Sequence, residues 1–314
     1  MPSVQERAKP PIFILCSPRS CSTVSLALLA GHPDLFGFPE TSLFLSATVG
    51  DLIEKCGKER ALQRIDPAAR TPSMFRYSSL IGLARAIAQV HEGSLQEEAV
   101  LHALEWLFRH RERSTVGVMS HLLNLVSPQI GLEKSPGTCY TDETLDRCMT
   151  AYPEARYLHL TRHPVSCVRS MQAAFSVETA DQFSRFSRSA MIVNWYSCHL
   201  RIVQALEKLP RSQWMRVRAE DLLGAPDVWL PRILAWLQLE SSNRIVEQMM
   251  HTEKWLFASD SDQHLLLRGG DWKFFANPVL RPVELPSERL VDTQWKITDE
   301  GFRRVSTLAR FLGY

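Results

Sequence analysis

The 314-residue chain has no Cys-x-x-Cys pair. Its seven cysteines, an odd number, stand singly at 16, 21, 56, 139, 148, 167 and 198. That scatter offers neither a disulfide framework nor a zinc site and predicts a reducing, cytoplasmic setting. No apolar run approaches the roughly 20 residues of a membrane span. The opening MPSVQERAKPP lacks the apolar core of a signal peptide. Charge of one sign is missing too: 36 Lys and Arg face 34 Asp and Glu, for a net charge of +2. This argues against a nucleic-acid wrapper or a polybasic membrane binder, yet leaves room for local basic clusters around a small anion. There is no internal repeat, no low-complexity tract and no linker that would split the chain.

What is present is 45% apolar residues, enough for a sizeable core. The most informative stretch is 12–31, IFILCSPRSCSTVSLALLAG. Ile12 to Leu15 reads as a buried strand, Cys16 to Thr23 as a turn, and Val24 to Ala30 as an apolar helix stopped by Gly31 and Pro33. A strand, a tight turn and a helix start make a natural anion site, because the first helical N–H groups lack partners and the dipole favours negative charge. Arg19, Ser20, Ser22 and Thr23 crowd that turn. A plain serine-rich connection with a good N-cap is the competing reading of this stretch alone. The turn lacks GxxxxGK[ST] and so has no lysine for the β and γ phosphates of a nucleoside triphosphate. One arginine and several hydroxyls suit a single 5′-phosphate group.

Asp34 to Glu40 reads as a short strand with Glu40 at its C-terminal tip, the edge where open α/β sheets place ligands. Residues 43–110 read as helical, with a capping box at Ser94-Leu-Gln-Glu97. Ile130 to Lys134 and Ala155 to Arg162 read as strands, with a helix over about 142–151 between them. Pro164 opens another helix. This second strand–turn–helix again places an arginine, Arg162, and a hydroxyl, Ser170, around a helix start. A helix over about 182–208 carries a buried stripe of Phe183, Phe186, Ala190, Val193, Leu200 and Val203, with Arg201 in solvent. A strand at 214–217, helices near 228–238 and 242–251, an aperiodic stretch at 256–290 and a helix over 298–312 complete the chain. Strands alternating with helices predict an α/β fold with a parallel sheet covered on both faces. Two anion sites on adjacent strand ends suit a nucleotide phosphorylated at both ends.

Taken together, these motifs resemble the sulfotransferases that use 3′-phosphoadenosine 5′-phosphosulfate (PAPS). Ser17-Pro-Arg-Ser-Cys-Ser-Thr23 is similar to their 5′-phosphosulfate loop, and Tyr157-Leu-His-Leu-Thr-Arg162-His-Pro with Ser170 to their 3′-phosphate motif. Leu267-Arg-Gly-Gly-Asp-Trp-Lys273 resembles a shortened C-terminal motif, and Gly31 to Glu40 the segment that carries a glutamate base in several branches. The likeness runs nearly end to end. It is closest to the sulfotransferase domains of bacterial polyketide assembly lines, including Glu133-Lys-Ser-Pro136 and Glu220-Asp-Leu222. Two departures stand out: Cys21 occupies a usual glycine position, and the spacer after Arg268 is missing.

The resemblance implies one domain over 1–314 with a P-loop-like central parallel sheet, a helical insertion at 43–110 and a covering loop at 256–290. It implies transfer of a sulfuryl group from PAPS to a hydroxyl of a small-molecule or acyl-chain acceptor of natural-product type, either free or carrier-bound. Neither nucleic acid nor a membrane span is expected among the partners. Arg19, Ser20, Cys21, Ser22, Thr23, Arg162, Ser170, Arg268, Gly269 and Gly270 would bind the nucleotide. Glu40 is the first choice of base and His264 the second, with Arg19 easing charge on the leaving phosphate. No metal is expected. Lys134 either assists the sulfuryl oxygens or pairs with Glu133. Two other readings stay open: a kinase or NTPase on a degenerate phosphate loop, and a non-catalytic nucleotide-binding protein.

Overall fold

Alternation along the first strand explains the layers. In β1 (Ile12–Leu15), Phe13 and Leu15 enter one core cluster while Ile12 and Ile14 enter another. All four are buried, as a strand covered on both faces requires. The computed structural model describes residues 8–61, 80–178, 188–258, 270–283, 285–286 and 295–314. Four more strands join β1: β2 (Leu35–Gly37), β3 (Ile130–Glu133), β4 (Arg156–Thr161) and β5 (Trp214–Arg218). They form a parallel sheet in the order β2-β3-β1-β4-β5, with Ile12 beside Leu132 on one side and Arg156 on the other.

Helix α1 (Ser22–Leu29) links β1 to β2. Helices α2 (Val49–Ala61), α3 (Ile81–Glu92), α4 (Glu97–Arg109) and α5 (Thr115–Leu125) lie between β2 and β3. Helix α6 (Asp142–Ala151) precedes β4, and α7 (Pro164–Glu178) and α8 (Arg188–Leu206) follow it. After β5 come α9 (Ala219–Gly224), α10 (Pro226–Leu237), α11 (Asn243–Met249), α12 (Trp272–Ala276) and α13 (Asp299–Phe311). One face of the sheet is covered by α1 and α9–α11 through Leu26, Leu222, Ile233 and Met249. The other is covered by α2–α6 through Leu52, Ile87, Leu122 and Leu145. A third cluster joins α7, α8 and α13 around Trp195 and Trp295.

Three local expectations change. Helix α4 begins at Glu97 with Gln96 as its cap, and Ser94 accepts only the Gln96 N–H at 3.2 Å, so no capping box forms. The buried stripe of α8 is Met191, Ile192, Trp195, Cys198, His199, Ile202, Val203 and Leu206. Ala190 and Val193 are exposed, because the wide faces of Trp195 and His199 turn toward the sheet, and Phe183 and Phe186 lie outside the described residues. Arg201 is folded down onto Asp142 and the Cys139 carbonyl at 2.9 and 2.8 Å rather than left in solvent.

The strand order positions the site. From β1 the chain first runs outward to β2, returns through β3, then crosses to β4 on the far side of β1. The turns leaving β1 and β4 are therefore neighbours that feed helices in different directions, the topological switch point where open sheets receive ligands.

Candidate active site

The turn after β1 is held in an uncommon backbone conformation. Arg19 and Cys21 both have positive φ, 63° and 60°, a region that costs an L-residue about 1–2 kcal/mol. The hydroxyls of Ser17 and Ser20 meet at 2.9 Å in a buried contact, and Ser20 touches the Cys167 thiol of α7 at 3.7 Å. Ser22 and Thr23 are buried in the first turn of α1. Cys21 stands at the cap position without a side-chain hydrogen bond, and no acidic residue lies in that turn. The N-terminus of α1 is thus left with uncapped N–H groups and positive potential.

The turn after β4 meets it. Arg19 donates through Nε to Ser170 Oγ at 3.1 Å and through Nη1 to Asp271 Oδ1 at 3.0 Å. Arg162 donates through Nη1 to the Arg19 carbonyl at 2.8 Å. Its Nε is buried and has no hydrogen-bond partner among the described residues. An unpaired buried donor on a cation is costly, and an anion seated there would satisfy it. The Arg162 carbonyl accepts from Trp195 Nε1 at 3.0 Å. The N–H of His163 is held at 2.8 Å by Glu220, whose second oxygen accepts from Tyr314 OH at 3.0 Å. His163 is a helix-start residue: its Nδ1 accepts from the Val165 N–H at 3.2 Å, and burial pushes its pKa down to about 4.

Glu40 lies three residues past the end of β2 rather than on its tip. Its Oε1 pairs with Lys134 Nζ, the lysine side chain being 2% exposed and the glutamate side chain 31%. Lys134 therefore pairs with Glu40, and not with Glu133. Glu133 is buried and accepts from the hydroxyls of Thr41 and Ser135 and from the Thr41 N–H. Burial raises its pKa against those hydrogen bonds. These contacts anchor the Pro39–Ser42 turn to the end of β3, which fixes Glu40 near the sheet edge.

Of the residues expected from sequence, Arg19, Ser20, Arg162 and Ser170 come together through the Arg19–Ser170, Arg162–Arg19 and Ser20–Cys167 contacts, with Cys21, Ser22 and Thr23 following at the α1 N-terminus. His264, Arg268 and Gly269 lie outside the described residues. Gly270 is exposed, and its neighbour Asp271, not expected as a site residue, reaches Arg19. Asp271 also accepts the Lys273 N–H as the cap of α12. An aspartate opening a short apolar helix is a readable cap signal, but its long-range partner is not. A cavity of about 410 Å³ beside Pro10, Ser120 and Tyr152 sits at the opposite, N-terminal edge of the sheet, away from these groups. Among the described residues no group of three or more His, Cys, Asp or Glu side chains could hold a metal ion. Nor is any helix among them long and apolar enough to cross a membrane.

A parallel five-stranded sheet with arginines and hydroxyls gathered at its switch point defines an α/β protein. Residues 10–243 match the family model described as "Sulfotransferase family", and the chain belongs to that family. No curated protein matches it. Among solved structures it is similar to the sulfotransferase domain of the Synechococcus PCC 7002 olefin synthase, with 21% identity over 98% of this chain and 96% of that one and a TM-score of 0.66. It is similar also to the sulfotransferase domain of the curacin biosynthetic pathway, with 20% identity over 97% and 99% and a TM-score of 0.67. A sulfotransferase from Mycobacterium avium matches at 14% identity over 97% and 76%, with a TM-score of 0.52. At these identities the likeness speaks for the fold.

Proposed function

We propose that this sulfotransferase moves a sulfuryl group from PAPS to a hydroxyl of a small-molecule or acyl-chain acceptor. The observation that carries the reading is the buried, unpaired Nε of Arg162 beside the Arg19–Ser170 contact. It supports one anion site at Arg162, next to the uncapped α1 start that would take a second, which is what a nucleotide charged at its 3′ and 5′ ends requires. Arg162 and Ser170 would hold the 3′-phosphate. Arg19 and the N–H groups of Ser20, Cys21, Ser22 and Thr23 would hold the 5′ end. Arg268, Gly269 and Gly270 are assigned to the 3′-phosphate on the resemblance alone.

In this reading the acceptor oxygen attacks sulfur as the bond from sulfur to the 5′-phosphate oxygen breaks in line. The hydroxyl proton passes to Glu40, and the charge gathering on the leaving phosphate is met by Arg19 and the α1 N-terminus. Lys134 holds the Glu40 carboxylate in place, which supports Glu40 as a candidate base, with His264 kept as the alternative on the resemblance alone. The olefin synthase and curacin relatives favour an acyl-chain acceptor, and the helices of 43–110 would line its entrance.

The test is a thermal-shift panel. Adenosine 3′,5′-bisphosphate without metal should stabilise the chain, ATP with Mg²⁺ should not, and Arg162→Ala should abolish the shift. Stabilisation by ATP and Mg²⁺ alone would turn the reading toward a kinase or NTPase. Stabilisation by the bisphosphate with no sulfated product from a hydroxyl library by mass spectrometry would leave a nucleotide-binding protein without catalysis.

A further inference from the structure

Arg85, in the middle of α3, is 5% exposed. A buried guanidinium needs a reason, because desolvating it is costly unless its donors are met. Its Nη2 donates to the Phe257 carbonyl at 3.0 Å. Its planar group also lies against two rings, 5.8 Å from the centroid of Phe257 and 5.5 Å from that of Phe275, a stacking that suits arginine and not lysine. These rings belong to an aromatic cluster in which Trp255 lies parallel to Phe275 at 6.3 Å and tilted to Phe257 at 5.6 Å. Nearby, Thr252 donates to the Pro278 carbonyl at 2.6 Å, tying the same two stretches of chain.

The Phe275 ring reaches Gly270 directly. A Cβ built on Gly270 would stand 3.1 Å from Cε2 and 3.4 Å from Cζ of that ring, so the ring edge abuts the glycine. Asp271 follows, accepts from Arg19, and carries α12 on its cap, while its carbonyl accepts the Phe275 N–H at 3.1 Å. The contacts run unbroken from Arg85 to Phe275, to Gly270 and Asp271, to Arg19 and so to Ser170.

We propose that Arg85 is a positioning residue for the nucleotide site: from a helix of the 43–110 insertion it seats the Phe275 ring, on which Gly270 and Asp271 are registered against Arg19. The inference rests on the PAPS reading and extends it by linking the segment assigned to the acceptor with the loop assigned to the donor. Arg85 touches neither reactant.

Titration calorimetry with adenosine 3′,5′-bisphosphate tests it in wild type, Arg85→Met, Arg85→Lys and Phe275→Leu. Arg85→Met should weaken the nucleotide roughly tenfold and raise the donor KM by a similar factor with a smaller change in kcat, since orientation of the binding groups is lost. Arg85→Lys should restore little, because the stacking fork is gone. A lowered melting temperature with unchanged nucleotide affinity and donor KM would mark Arg85 as purely structural and overturn the proposal. Should Arg85→Met fail to fold, Phe275→Leu decides: it keeps the Arg85–Phe257 bond, and weakened nucleotide binding supports the coupling while unchanged binding overturns it. A wild-type chain that does not bind the bisphosphate overturns the PAPS reading and this inference with it. Wild-type binding with indifferent variants overturns the inference alone.

Discussion

Cys21 shows how a single side chain can work against its own backbone. At φ 60° its Cβ costs about 1–2 kcal/mol, whereas glycine there would cost about 0.5–1 kcal/mol in chain entropy. Strain relief is the larger, so Cys21→Gly should stabilise the protein by up to about 1 kcal/mol, a gain readable as a higher urea midpoint. A lower midpoint would mean that the thiol's packing outweighs the strain. The Glu40–Lys134 pair is lopsided in the same legible way. Removing Glu40 strands an ammonium that is 2% exposed, while removing Lys134 leaves a carboxylate, 31% exposed, that water can reach. Glu40→Ala should therefore cost about 3 kcal/mol and Lys134→Met about 1 kcal/mol. Equal losses in urea denaturation would contradict that asymmetry. In catalysis, Glu40→Gln should slow sulfuryl transfer by ~10²-fold or more with bisphosphate affinity unchanged. A fully active variant removes Glu40 from the mechanism.

Among the elements, Gly31 reads from sequence as a helix stop, yet Ala30 closes α1 in ordinary right-handed geometry. The glycine is needed for space, since a Cβ there would sit 2.6 Å from the Met249 Cα. Gly31→Ala must push α11 off α1 and should cost about 1–3 kcal/mol, measured by denaturant unfolding. A neutral result would show that the two helices can part. The two strand–turn–helix units were readable from local pattern, because turn residues and periodicity sit within twenty residues of each other. So was the alternation that fills both sheet faces. The pairing of Lys134 with Glu40 was not readable, since the two are 94 positions apart and Glu133 is the nearer carboxylate in sequence. Nor was the α8 stripe: a histidine scores as polar, yet His199 is buried at 0% exposure, bonded to His159 at 2.9 Å. Local pattern identifies which groups a strand end can offer, and long-range packing decides which of them meet.

At the scale of the molecule, the strand that leads to Arg162 carries and borders histidines kept neutral. Burial drives His159 well below its ordinary pKa, His163 to about 4 and His199 to about 3. His159 accepts from Arg216 Nε at 3.2 Å, so it has a cation beside it as well as a low dielectric around it. An unfolded histidine takes its proton near pH 6.5. Between that pH and the folded values the unfolded chain binds more protons, so stability is complete above pH 6.5 and falls as the pH drops toward 4. Glu133 acts in the opposite sense, since its raised carboxyl gains a proton more easily in the fold, but it is one group against these three, and His91 and His121 are lowered by burial as well. The urea-unfolding free energy should be lower at pH 5 than at pH 7.5 by about 2 kcal/mol or more. His199→Asn, which keeps a short polar side chain but does not titrate, should flatten that slope. A chain equally stable at both values would mean that the His159–His199 pair accepts a proton in place, through water or local opening. The loss should be offset at both values by saturating bisphosphate, which adds about 2.7 kcal/mol at a hundred times its Kd. On the proposed reading, a nucleotide at the ends of β1 and β4 and the neutral imidazoles on and beside β4 would both stabilise that strand.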